Sequence, residues 1–148
     1  MIESYKIRSV TCDDFDSVFE LLKQLWSDKQ FNKDNTKISF ERGLQNDVYI
    51  CAENNGKVVG FCSMSVKNSL WEDGEIAYIS EIIVDHYARG TGIGTQLIQS
   101  ITKLANERGC MRIELDSAFH RNMTHQFYES LGFDKRAYLF SLKLNQSH

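Results

Sequence analysis

The sequence predicts a mixed α/β fold of the α+β kind, with a mostly antiparallel central sheet and helices on both faces. Three observations predict it. "VYICAE" (48–53) and "VVGFCSMSV" (58–66) flank "NNGK", a tight-hairpin signal between two strand-forming runs. "IAYISEIIVD" (76–85) is a long strand that is largely apolar on both faces, as strands in the middle of a sheet are. It leads through a glycine-rich turn into a helical repeat and then into the alternating run "MRIELD" (111–116). That is one β-α-β crossover, which should be right-handed with its two strands parallel.

The elements follow in order. "YKIRSV" (5–10) alternates and reads as a first strand. Thr11 with Asp14 three residues on marks a helix start, and Phe15, Val18, Phe19, Leu22, Leu25 and Trp26 then fall on one helical face. Segment 27–37 is polar and reads as a loop, and 38–46 as a short second helix. The hairpin 48–66 comes next, then a second turn at "NSLWEDGE" (68–75) and the long strand. After the glycines, Leu97, Ile98, Ile101, Leu104 and Ala105 repeat at helical spacing, with Gly109 as the stop. A last helix over 121–131 ends at Gly132, and "AYLFSLKL" (137–144) alternates as a final strand. There is no proline, so helix stops fall to glycine and asparagine.

The 148 residues suit one domain, residues 1–148, with a real core. A net charge of −3 and the lack of a basic stripe argue against nucleic acid and are compatible with a cationic substrate. Cys12, Cys51, Cys62 and Cys110 are too scattered for a zinc site and read as reduced, mostly buried thiols. The N-terminus lacks a signal pattern and no apolar run is long enough to span a membrane, so the expectation is a cytoplasmic protein.

The stretch that carries chemistry is "IIVDHYARGTGIGTQLI" (82–98). A nucleoside-triphosphatase loop would need lysine after its last glycine, and here Gly94 is followed by Thr95 and Gln96. A dinucleotide turn would place its third glycine one residue later, and too little chain follows for a doubly wound sheet. Two readings remain from the residues alone. One is a plain strand-to-helix turn. The other is a diphosphate held by the amides from Gly90 to Thr95 at a helix N-terminus, with Arg89 beside it and no metal.

Arg89-x-x-Gly92-x-Gly94 after a strand ending in Val84, followed by "HQFYESLGFDK" (125–135), resembles the GNAT superfamily of acyl-CoA-dependent N-acyltransferases. The element order is similar over essentially the whole chain. Two positions depart from the family pattern: His86 stands where proline is common, and Arg121 where asparagine is common. The resemblance implies an acetyl-CoA co-substrate whose pyrophosphate is held by Arg89, Gly90, Thr91, Gly92, Ile93, Gly94 and Thr95. It also implies that backbone groups of Ile82, Ile83 and Val84 pair with the pantetheine arm as an added strand would, an amide near Val84 donating to the oxyanion. The implied activity is acetyl transfer to a primary amine by direct attack in a ternary complex, with a small cationic amine as acceptor. A non-catalytic acyl-CoA-binding or regulatory domain and a protein N-acetyltransferase are the alternatives. Family members are often homodimers, and "AYLFSLKL" would serve a shared edge.

Acetyl transfer requires a deprotonated amine, a donor to the oxyanion, and in some enzymes a proton for the leaving thiolate. Glu81 interrupts an apolar strand just before Ile82, and reads as base, as a charge that binds a cationic substrate, or as a solvated strand residue. Tyr128 in the helix motif is the acid the resemblance implies, since a phenol is protonated at neutral pH; a core tyrosine is the bland reading. His125 is a weaker rival. The resemblance places the acceptor between the first two helices, the turn before the central strand and the last hairpin, where Trp26, Trp71 and Tyr78 are the aromatic candidates, together with Phe31, Glu72, Asp73 and Tyr138.

Overall fold

The computed structural model describes residues 5–118 and 121–145. They fall into two compact units, Met1–Leu115 and Asp116–His148. The first holds β1 (Lys6–Ser9), a 3-10 turn, α1 (Phe15–Leu25), α2 (Lys33–Asn46), β2 (Val48–Asn54), β3 (Lys57–Ser69), β4 (Gly74–Val84), a second 3-10 turn, α3 (Ile93–Glu107) and β5 (Arg112–Leu115). The second holds α4 (Asn122–Ser130).

The sheet order is β1-β2-β3-β4-β5, antiparallel throughout except for the parallel β4–β5 pair. Helices cover both faces of this sheet. Phe15, Val18, Phe19, Leu22 and Leu25 of α1 pack with Phe40 of α2 on Cys51, Phe61 and Ile83. Gly60 points the other way along β3, and a side chain there would press on Ile93 and Leu97 of α3, so its bare Cα lets α3 approach. The entry to α1 is tied by Asp14, whose carboxylate accepts from the Thr11 N–H (2.8 Å) and from Arg8 (2.8 and 2.9 Å). The Arg8 guanidinium holds Asp14 below the usual carboxylate range. Among the described residues no helix is long and apolar enough to cross a membrane.

Two elements differ from expectation. Helix α2 begins at Lys33 rather than residue 38, because the Asn32 side chain caps it by accepting from the Asn35 N–H (3.0 Å). Its first turns carry no buried apolar residue, so the helical period is invisible there. No strand forms over 137–144, where Tyr138, Leu139, Phe140, Leu142 and Leu144 are all exposed. Alternation sets which way side chains point, but a strand also needs a neighbouring ladder, and the ladders of the described sheet run only through β1 to β5. Of the four thiols, all free, Cys51 and Cys62 are buried, Cys110 is half-buried and Cys12 is exposed.

Gly43 lies directly under the phenol of Tyr49, and an added methyl would overlap its hydroxyl. Tyr49 is itself fixed between Phe40 and Phe61, ring centroids 5.7 and 5.3 Å away. Gly43→Ala should therefore lower the melting temperature by a few degrees. Overpacking costs about 1–3 kcal/mol, which exceeds the ~0.5–1 kcal/mol that alanine gains over glycine in a helix. A thermal melt decides it, and an unchanged or raised Tm would show that Tyr49 swings away freely.

Candidate active site

The site is organised by an irregularity in β4. Ser63 pairs with Glu81 but Met64 pairs with Ile79, so Ser80 is an extra residue, a β-bulge. Directly opposed residues share a face of the sheet, and Ser65 opposes Tyr78 while Ser63 opposes Glu81. The bulge thus brings Tyr78 and Glu81, three positions apart, onto one face. Tyr49 of β2 opposes Ser63 from the other side. Tyr49, Ser63 and Glu81 form a row across three strands, next to the row Cys51, Phe61, Ile83 that α1 and α2 cover.

The bulge also marks where β4 loses its second neighbour. The parallel ladder to β5 ends at Ile79 with Leu115, among the described residues. Beyond it, the Glu81 N–H points to β3, donating to Ser63 Oγ (3.0 Å), and the Asp85 N–H donates to the Val59 carbonyl (2.8 Å). Successive backbone groups point to opposite edges, so those of Ile82 and Val84 face away from β3 and those of Ile83 face it. Arg89 Nε donates to the Val84 carbonyl (3.2 Å), which leaves the Ile82 N–H and C=O and the Val84 N–H as the edge an extended ligand would meet.

The turn that follows is fastened to α1. Gln24 donates to Asp85 (2.8 Å) and accepts from the His86 N–H (2.9 Å), and Thr91 Oγ1 donates to the Ala88 carbonyl (2.5 Å). Gly92 then adopts φ +87°, the left-handed region open to glycine, and begins α3 with no side-chain cap. The first amides of a helix lack intrahelical partners. Those of Ile93, Gly94 and Thr95 therefore point outward with the positive end of the helix dipole, which is a site for an anion.

Glu81 is half-buried and its carboxyl is raised above the usual carboxylate range. Burial is the main cause, opposed by the hydrogen bond from Ser63 (2.7 Å) and assisted by the charge of Asp47. A carboxylate so poised is a better base than one in water. Burial, with the charges of Glu81 and Asp47, pushes the Tyr49 phenol up to about 12, so it stays protonated beside the carboxylate.

The aromatic candidates are dispersed. Trp26, at the end of α1, stacks on Phe31 with centroids 6.3 Å apart. Tyr78 lies under Lys67, whose Nζ is 5.1 Å from the ring. Trp71 and Glu72 both engage Arg112, at 5.6 Å to the ring and 2.6 Å to the carboxylate. They occupy the turn before Gly74, so Trp71 is roughly 20 Å from Glu81 at about 3.3 Å per strand residue. Among the described residues no three acidic, histidine or cysteine side chains gather as a metal site would need.

In the second unit, Tyr128 is buried against Phe127 and Phe133. The Phe133 N–H donates to the Tyr128 carbonyl (3.1 Å) and the Gly132 N–H to that of Glu129 (3.0 Å), a Schellman motif. "FYESLGF" is thus a helix stop built around Gly132, with Tyr128 and Phe133 in its hydrophobic contact.

The profile of the acetyltransferase (GNAT) family matches residues 15–133. The chain belongs to this family. An uncharacterized N-acetyltransferase of Methanocaldococcus jannaschii is 35% identical over 145 residues, covering 92% of this chain but 63% of the relative. The chain therefore spans less than two thirds of that relative. An aminoalkylphosphonate N-acetyltransferase of Salmonella typhimurium is 29% identical over 94% of this chain and 91% of its own. Among solved structures, a transcriptional regulator from Bacillus halodurans C-125 superposes with a TM-score of 0.86 at 26% identity, over 95% of this chain and all of that one. This GNAT chain shares its overall fold with the Bacillus halodurans protein. Ser63 and Tyr49 are the site residues that the sequence alone did not single out; the one signal for Ser63 is a hydroxyl inside the apolar run 58–66.

Proposed function

We propose that the protein is an acetyl-CoA-dependent N-acetyltransferase acting on a small primary amine, and that residues 1–148 form one such domain. The observation that carries the reading is the single stretch from Glu81 to Thr95. It sets a raised carboxylate, an open strand edge and an uncapped helix N-terminus in sequence, in the order of an amine, a pantetheine arm and a pyrophosphate. The match of the family profile across both compact units supports the single domain.

In this reading Glu81 takes the proton from the acceptor ammonium, directly or through water. The amine attacks the thioester carbonyl, and the Ile82 or Val84 N–H stabilises the oxyanion. The intermediate expels the thiolate, which Tyr128 protonates, and the second proton of the attacking nitrogen passes to the resulting phenolate or to water, leaving the neutral amide. Arg89 to Thr95 hold the pyrophosphate, and Ile82 and Val84 pair with the pantetheine amides, Ile83 contributing its side chain to the core beneath. Tyr78 lines the acceptor side with Tyr49; Trp26 would join it at the end of α1. The Salmonella relative's amino-phosphonate name favours a small molecule over a protein acceptor.

The test is thiol release from acetyl-CoA over an aminoalkylphosphonate, an amino sugar phosphate, a polyamine, an aminoglycoside and an amino acid. At least one should be acetylated, and Tyr128→Phe should lower kcat by about 10²-fold with little change in KM for acetyl-CoA. A second reading, a non-catalytic acyl-CoA-binding regulator, is suggested by the regulator among the solved structures. It requires acetyl-CoA binding with no thiol release from any amine and no effect of Tyr128→Phe.

A further inference from the structure

We propose that Ser63 is a positioning residue for acetyl transfer, a hydroxyl that aims the Glu81 carboxylate and keeps it ionised. The inference rests on the reading of Glu81 as the base. Its own support is the geometry of the bulge. In a regular antiparallel pair, residues opposed as Ser63 and Glu81 are would exchange backbone bonds. Here the Glu81 N–H donates to Ser63 Oγ (3.0 Å), and the same oxygen donates its proton to Glu81 Oε1 (2.7 Å). One hydroxyl thus stands between the amide and the carboxylate of one residue.

Three consequences follow. The amide occupies the hydroxyl as an acceptor, so its single proton has one direction left, toward the carboxylate. The polarised amide strengthens that donation. Oε1 is held and Oε2 is left for the acceptor's proton. Ser63 is almost wholly buried and Tyr49 stands on its other side in the same row, so the hydroxyl does not turn to water. The titratable groups that bear on the carboxylate are Asp47, whose charge pushes its affinity for protons up, and the Tyr49 phenol and buried Cys62 thiol, which its own charge keeps protonated, while the bond from the neutral Ser63 pulls its affinity down.

Removal of the hydroxyl should raise the pH at which Glu81 loses its proton. The carboxyl carbon resonance of Glu81 is followed by ¹³C NMR against pH, without ligand, in wild type, Ser63→Ala and Ser63→Thr. The alanine variant should titrate at higher pH and the threonine variant, which keeps the oxygen, near the wild type. With the best amine of the panel, the acid limb of kcat/KM should move up by the same amount in Ser63→Ala. In that variant kcat should fall about tenfold above the limb, with KM for acetyl-CoA unchanged.

Unmoved titration in Ser63→Ala overturns the positioning role, whatever the activity. A titration that moves while the acid limb stays fixed also overturns it, because the limb then belongs to another group. Glu81→Gln separates the two ideas. If Glu81→Gln keeps wild-type kcat, the base reading fails and takes the proposal with it. If it is inactive and Ser63→Ala leaves both profiles unmoved, the base reading stands and only the role of Ser63 falls.

Discussion

Gly92→Glu should abolish the rise in melting temperature that acetyl-CoA is expected to give the wild type. At a ligand concentration of 100 times Kd, binding stabilises the native state by about 2.7 kcal/mol. At roughly 2–4 °C per kcal/mol for a domain of this size, the wild-type shift is about 5–11 °C. Two features of Gly92 make the variant informative. Nothing lies within 4 Å of where its side chain would begin, so the new Cβ meets open space. Its φ of +87° imposes a strain of about 1–2 kcal/mol on any other residue, partly offset by about 0.3–1 kcal/mol for an anion at a helix N-terminus. The variant should therefore fold with a Tm only a few degrees lower, while its carboxylate should occupy the amides of Ile93 to Thr95 and repel the proposed pyrophosphate. Gly92→Ala carries the same strain without the charge and should keep most of the shift. A full acetyl-CoA shift in Gly92→Glu would place the diphosphate elsewhere.

That turn was legible in the sequence because its chemistry is local. Glycines, a following helical period and the lack of lysine are all read within a dozen residues. The hairpin at Asn55-Gly56 and the stop at Gly132 were legible for the same reason. Site features that depend on register were not. Whether Tyr78 shares a face with Glu81 turns on one extra residue, Ser80, and a strand of period two gives the opposite answer if the bulge is not known. Ser63 and Tyr49 join the site only through pairing between strands 14 and 18 residues apart. Trp71 and Glu72 looked like a cation site by composition, but Arg112, 40 residues on in the chain, engages both. The final strand shows the converse: "AYLFSLKL" has the alternation of a strand, yet no pattern within a segment supplies the neighbour it must pair with.

Glu81→Gln should lower kcat by about 10²- to 10⁴-fold, the range for loss of a general base, and should also make the protein more stable at neutral pH. The first half follows from chemistry. Glutamine has nearly the same shape and its oxygen can still accept from Ser63, but it takes no proton from an ammonium. KM for acetyl-CoA and the acetyl-CoA thermal shift should stay as in wild type, because neither the Ile82–Val84 edge nor the α3 terminus is altered. The second half follows from linkage. Burial first, then Asp47, raise the carboxyl above its unfolded value, against the opposing bond from Ser63. A group raised in the folded state contributes stability that is complete below the unfolded pKa and is lost as pH rises through the folded pKa. Above that folded value the ionised Glu81 is thus a cost carried by the fold, and glutamine removes it. The variant should melt above the wild type at neutral and alkaline pH, with the difference shrinking as pH falls through the raised folded value toward the ordinary carboxylate range and gone below that range. Activity within threefold of wild type would end the case for Glu81 as base. A variant that melts lower at neutral pH, by as much as it does in acid, would show that the carboxylate is held for structure and is not strained for chemistry.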